Sequence, residues 1–467
     1  MDSLKSNRET ATIQHEPREK GKRAAIPCRG GIVAASVIFS LTAMPPVEAK
    51  ELPPGTVISA ANLNQVLNDT FEGHTIDSML PDSFKRLIRD YKWTFPLKKS
   101  EPIVFPDHWV NATKKFSGQV TYDEKAKDVK GYVAGIPFPN IKVDDPNGAI
   151  KIVWNWFLSQ AWAINSTNVM AGGPNIGGFN QISFDKGFER GPGGINNQYR
   201  FLGRTTEPHT LGDGSVVKKQ IIMTTSPYDN AGLGAFNITY RDGRPDDVWA
   251  YIKSVRRIRR ISGGNWMDSL AGTDLVGDDN YGLDAHPNWY KSWKITGKRW
   301  MLVAAHGSEY RKRIEMTLAQ RINLKDPPYG GLIGIQYEPR EVFVLEGIPP
   351  DEHPYGKKVL YADAEFPALF WAMDVYDKKG VYWKVAMLAG AQCDHYDGKI
   401  GMCPTDYPVY DLQRQHGTPI MVAGGSWQNV PSDPESWNPG MIEKGIAGQL
   451  GGVIKGAALE ANKKGNK

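Results

Sequence analysis

Apolar and polar residues alternate through much of the second half of this chain, the period of a half-buried β-strand. The strongest instance is a hairpin: Leu369–Tyr376, the turn Asp377-Lys378-Lys379-Gly380, then Val381–Leu388. Leu369, Trp371, Met373 and Val375 share one face of the first predicted strand. Val381, Trp383, Val385 and Met387 share one face of the second. Strands are also predicted over Gln220–Thr225, Phe236–Arg241, Trp293–Val303, Glu341–Glu346 and Lys358–Asp363, with Gly, Asn and Pro turns between many of them. No strand–helix–strand alternation is present, which disfavours a parallel doubly wound sheet.

Helical periodicity is confined mainly to the first third. Ser59 caps a short predicted helix carrying Leu63, Val66 and Leu67. Pro81-Asp82 starts another, in which Phe84, Leu87, Ile88 and Tyr91 fall at i, i+3, i+4 and i+7. That stripe is narrow and flanked by both charge signs, so it reads as core packing rather than a membrane-surface helix. A third predicted helix covers Pro106–Phe116. A hairpin turning at Asp123–Asp128 leads to Gly135-Ile-Pro-Phe-Pro-Asn140, whose prolines keep it out of any sheet interior. The helix predicted next, Asn147–Gln160, carries Ile152, Val153, Trp154, Trp156, Phe157 and Leu158 and leaves little polar face. Such a helix is buried on nearly all sides.

The chemistry concentrates in Asp247–Gly282. Trp249, Tyr251 and Ile252 open a β-prone run. Arg256, Arg257, Arg259 and Arg260 follow, interleaved with Ile258 and Ile261, and then come Asp268, Asp274, Asp278 and Asp279. The pattern predicts a strand, a bend near Lys253-Ser254, a basic strand and an acidic loop. Arg257 and Arg259 take one face of the second strand, Ile258 and Arg260 the other. Two readings of the arginines stand: ion pairs with the aspartates that follow, or a site for an anionic headgroup. Asp274, Asp278, Asp279 and Asn280 lack the spacing of a calcium loop.

Composition adds Gly (49), Trp (14) and Tyr (19), which lean towards β-structure. The net charge of +5 falls to +3 without residues 1–49, too weak to argue for nucleic acid as a partner. Lys20, Lys22, Arg23 and Arg29 precede an apolar run, Gly31–Met44, and then Val47-Glu48-Ala49. This reads as a signal peptide over residues 1–49, cleaved after Ala49, with an uncleaved anchor as the alternative. Export makes Cys393 and Cys403 a predicted local disulfide; a metal site with Asp394 and His395 is the rival. No GxSxG, HExxH, phosphate-loop or dinucleotide motif is present, and no cofactor is expected.

The Gly135–Asn140 piece, the segment from Trp249 through Arg260 to Asp274, and the Asp377–Lys384 hairpin together resemble a bacterial family. It is catalogued as a domain of unknown function, often labelled outer-membrane lipoprotein-sorting-like, and is related to the lipoprotein carrier LolA. The resemblance implies an open antiparallel β half-barrel with helices plugging its concave side. Residues 50–145 would form an N-terminal helical and hairpin extension, 146–438 the half-barrel, and 439–467 a C-terminal helix and polar tail. It further implies a periplasmic carrier of a lipid-like or hydrophobic ligand, working with an RND-type exporter and an outer-membrane protein. A concave cavity could then be lined by Trp154, Trp156, Phe157, Trp249, Tyr251, Trp371, Met373 and Trp383. Alternatives are an envelope assembly or adaptor protein, and a periplasmic hydrolase assembled from distant residues.

Overall fold

The computed structural model describes residues 49–159, 165–170, 178–226, 232–252, 257–261, 265–270, 272–424, 426–429 and 433–442. The leader through Glu48, Arg256, the predicted helix beyond Ile442 and the polar tail lie outside them. The described chain is mainly β and antiparallel, in two principal sheets that stay open.

The larger sheet runs, in spatial order, Ser292–Val303, Glu338–Ile348, Lys357–Asp363, Phe370–Tyr376, Tyr382–Met387, Ile400–Asp411, His416–Met421, Gln181–Ser183 and Gly187–Arg190, with Ala389–Asp394 also paired to Ile400–Asp411. The smaller runs Arg257–Ile261, Asp247–Ile252, Gly234–Tyr240, Val216–Ser226, Gly193–Arg200, Asn165–Met170 and Trp427–Gln428. One half-barrel was the expectation; the open antiparallel architecture is present, divided between two sheets. The Asp377 turn forms as its residues dictate: the Asp377 carboxylate accepts the Lys379 and Val381 amides at 2.9 Å, and Gly380 takes φ +76°.

Both faces of the larger sheet are covered. Helix α1 (Asp82–Tyr91) lays Phe84, Leu87, Ile88 and Tyr91 into the main core, where each apolar side chain contributes about 1.5–3 kcal/mol. On this side Asp374 is buried but takes hydroxyls from Ser83, Tyr361 and Tyr382 at 3.2, 2.8 and 2.8 Å. The opposite face, carrying Lys358, Met373, Lys384 and Tyr407, meets the acidic loop that follows Asn265.

Helix α2 (Asp107–Phe116) precedes helix α3 (Gly148–Ser159), which is buried almost all round, as its composition required. Ile152, Val153 and Trp156 join the main core; Trp154, Phe157 and Leu158 pack with Val129, Leu202 and Val217. Asn155, fully buried, gives and takes backbone hydrogen bonds with Phe138 at 2.8 Å and donates to the Pro367 carbonyl at 3.0 Å. A side-chain amide thus replaces the strand partner that the proline-rich segment cannot have. Gly135, at φ +77°, lies so close to Thr113 that a β-carbon would sit 2.4 Å from its backbone nitrogen.

Candidate functional site

The smaller sheet has two unlike faces. One carries Ile195, Tyr199, Ile221, Met223 and Phe236, closed over by Trp437, Met441 and Ile442. Strand alternation puts Asn196, Gln220, Ile222 and Asn237 on the other. That polar face bounds a cavity of about 170 Å³. The acidic loop contributes Trp266, Leu270, Leu275, Tyr281 and Asp284 to the opposite wall, and Phe179, Tyr407 and Ile420 close the side towards the larger sheet. Amides and carboxylates therefore face aromatic and aliphatic groups across one space.

Asp246 lies on the amide side. Its Oδ2 accepts the Thr239 hydroxyl at 2.8 Å, and its carboxyl is pushed up to about 7 by burial, with Asp284 adding to the rise. Lys218, itself buried, pairs with Asp284. The Asn237 amide oxygen is buried without a hydrogen-bond partner.

The loop forming the other wall is held down by buried charges. Asp278, Asp279 and Lys358 are all fully buried, and Lys358 Nζ lies 2.7 Å from Asp278 Oδ2 and 3.1 Å from Asp279 Oδ1. Tyr290 donates to Asp278 and Tyr355 to Asp279, each at 2.5 Å; Lys384 donates to the Tyr355 oxygen at 2.9 Å. Burial raises the Asp278 carboxyl. For Asp279 burial is outweighed by the Lys358 and Lys384 charges, which hold it below the usual range.

At the loop's other end Asp274, buried, takes His416 Nδ1 at 2.6 Å and the Thr418 hydroxyl at 2.7 Å. The Asp274 hydrogen bond raises the His416 imidazole pKa, partly opposed by burial. His416 borders an open cleft of about 810 Å³. Its Nε2 faces Glu189 at 3.3 Å, and Ser183, opposite it in register, gives its hydroxyl to Asp185. The His–carboxylate pair of a hydrolase is present, but its free nitrogen meets an acid where a nucleophile would have to stand.

Residues 57–439 match the family model described as "Protein of unknown function (DUF1329)". The chain belongs to the DUF1329 family. No curated protein matches it. Among solved structures, a DUF1329 family protein from Desulfovibrio piger is 17% identical, with 60% of this chain and 92% of that one covered, at a TM-score of 0.40. An outer membrane lipoprotein-sorting protein domain from Vibrio parahaemolyticus is 16% identical, covering 64% and 100%, at 0.41. A LolA superfamily protein from Nitrosomonas europaea is 12% identical, covering 62% and 97%, at 0.34.

In this DUF1329 protein the eight aromatic and Met residues picked from sequence are distributed among several places. Trp156, Trp371 and Met373 are in the main core, with Trp383 packed against it and its indole N–H on Asp411 at 2.8 Å. Trp154 and Phe157 belong to the helix α3 cluster; Trp249 and Tyr251 pack on the apolar face of the smaller sheet. None of the eight lines the 170 Å³ cavity. Each of the eight is packed into a side-chain cluster instead, while the cavity takes its aromatics from Phe179, Trp266, Tyr281, Trp289 and Tyr407.

Of the arginines, Arg257 and Arg259 are exposed on the edge strand, and Arg260 pairs with Asp247 of the neighbouring strand. Ion pairing with the following aspartates was one expectation; of these, Asp274, Asp278 and Asp279 are taken instead by Lys358, Arg414 and His416. Cross-strand register decides it, because Trp249 lies opposite Arg260 and brings Asp247 within reach. Cys393 and Cys403 form the disulfide, with Cα atoms 5.9 Å apart. Sequence reasoning passed over Lys358, Lys384 and Asp246. The two lysines had a signal: each occupies the phase of its strand shared with Leu360 or Ala386, where an apolar residue belongs.

Proposed function

We propose that this DUF1329 protein is a periplasmic carrier or binding protein for a lipid-like or hydrophobic ligand in an envelope transport route. The observation that carries the reading is the cavity between the polar face of the smaller sheet and the loop opposite. Its aliphatic and aromatic wall, with Ile222, Leu270, Leu275, Trp266 and Trp289, supplies affinity by burial at roughly 25 cal/mol per Å² and requires no covalent step. The disulfide suits an oxidising compartment, in keeping with the leader read from residues 1–49. Among the described residues no helix is long and apolar enough to cross a membrane. An RND-type exporter and an outer-membrane protein are the partners this reading calls for.

The test is mass spectrometry of solvent extracts from protein purified natively from the cell envelope. A stoichiometric apolar compound, lost when Ile222→Trp fills the cavity, is the expected result. Extracts that repeatedly contain no such compound overturn the reading.

A further inference from the structure

Resting on that carrier reading, we propose that the cavity selects an amphiphile with a primary amine head, held by Asp246 and Asn237 while its apolar body lies against the loop. Among the described residues, the charged side chains lining the cavity are Asp246, Asp268 and Asp284, with no Lys, Arg or His beside them. They are not equivalent. Asp268 is exposed, and Asp284 already has the buried Lys218 as its counter-ion. Asp246 has no such partner: among the described residues its one hydrogen bond comes from the neutral Thr239 hydroxyl.

The neutral groups point to the same ligand chemistry. Two of the amide donors on the lining are engaged: Gln220 Nε2 donates to Asn196 Oδ1 at 2.7 Å, and Asn280 Nδ2 donates to Asp284 Oδ2 at 3.4 Å. The Asn237 amide oxygen is a buried acceptor with no donor. A cavity with a spare acceptor and two carboxylates, Asp246 and Asp284, that share the one Lys218 charge calls for a cation that brings donors. An ammonium brings three. A carboxylate or phosphate head brings acceptors and negative charge, and would leave the Asn237 oxygen unsatisfied and set like charge against Asp246.

The groups that face Asp246 are Thr239, Asp284, Lys218 and Asp247. Burial is the largest influence on it and keeps the empty site partly protonated near neutral pH. An ammonium supplies the missing counter-charge, so amine affinity rises as pH passes upwards through about 7.

Four twelve-carbon probes test this by calorimetry at pH 8, each below its micelle-forming concentration: dodecylamine, dodecyltrimethylammonium, dodecanol and dodecanoate. Dodecylamine is expected to bind at least tenfold tighter than the other three. Asp246→Asn should remove that advantage while dodecanol affinity stays within twofold. Equal affinities, a preference for dodecanoate, or trimethylammonium binding as tightly as the amine overturns the assignment of the head group while leaving a carrier in place. Failure of all four, dodecanol included, removes the carrier reading and this inference with it. Unchanged amine preference in a folded Asp246→Asn variant, checked by its thermal transition, overturns the role of Asp246.

Discussion

The acidic loop lies between two sheets, and the buried acid groups on its two sides are partnered differently. Towards the larger sheet, Asp278 and Asp279 are fully buried yet share one lysine, two tyrosine hydroxyls and backbone amides. Towards the smaller sheet, Asp246 and Asn237 border open space, one with a single neutral donor and the other with none. The first arrangement is closed: its carboxylates take their hydrogen bonds and counter-charge from within the chain, so it secures the loop and offers nothing to a guest. The second leaves hydrogen-bonding capacity unused, which is the condition for binding something else. Burial of acid groups by itself does not distinguish a fastening from a site; the presence or absence of internal partners does.

The sharpest way to break the contrast is Lys358→Met. It leaves two buried carboxylates against a side chain with no charge, and should cost about 3–5 kcal/mol in urea unfolding. A loss under about 1 kcal/mol would mean the loop is secured elsewhere. A smaller effect of opposite sign is expected on the other side. The Asp246 carboxyl titrates at about 7 in the fold, against about 3.9 in an unfolded chain. Its ionisation therefore opposes folding: the penalty is absent below about pH 4, grows up to about pH 7 and is constant above. Ligand-free Asp246→Asn should match the parent near pH 4 and exceed it by about 1–2 kcal/mol at pH 8, allowing for partial exposure. A difference that does not change with pH would contradict this. Smallest is Arg260→Ala. Its partner is Asp247, but the arginine side chain is 64% exposed, so the loss should stay below about 1 kcal/mol and shrink with added salt. A larger, salt-insensitive loss would make the edge strand a part of the site.

Much of the architecture was legible because it depends on local pattern. The stripe of helix α1, the buried helix α3, the Asp377 turn and the Asp247–Ile261 strand pair each follow from spacing within a few residues. The candidate site was not legible on the same terms. Aromatic residues were the natural choice for a cavity, yet Trp371 and Met373 are 1% and 0% exposed. The cavity-facing Asn196, Gln220 and Asn237 are adjacent only because three strands align. Nothing in the spacing of Asp246 distinguishes it from a turn aspartate.

By itself the sequence determined many of the strands and helices, with helix α1, helix α3 and the 369–388 hairpin among them, the apolar face that each presents, and which two cysteines join. Periodicity and turn chemistry act within a few residues, and no distant partner is needed to read them. Only the tertiary structure decided that the strands divide into two sheets, that Lys358, Arg414 and His416 rather than the arginines of the edge strand hold the acidic loop, and that a cavity remains beside Asp246. Those outcomes depend on register and on how closely distant segments approach. A buried charge is settled by whichever opposite charge the fold brings within about 3 Å, not by the nearest one along the chain.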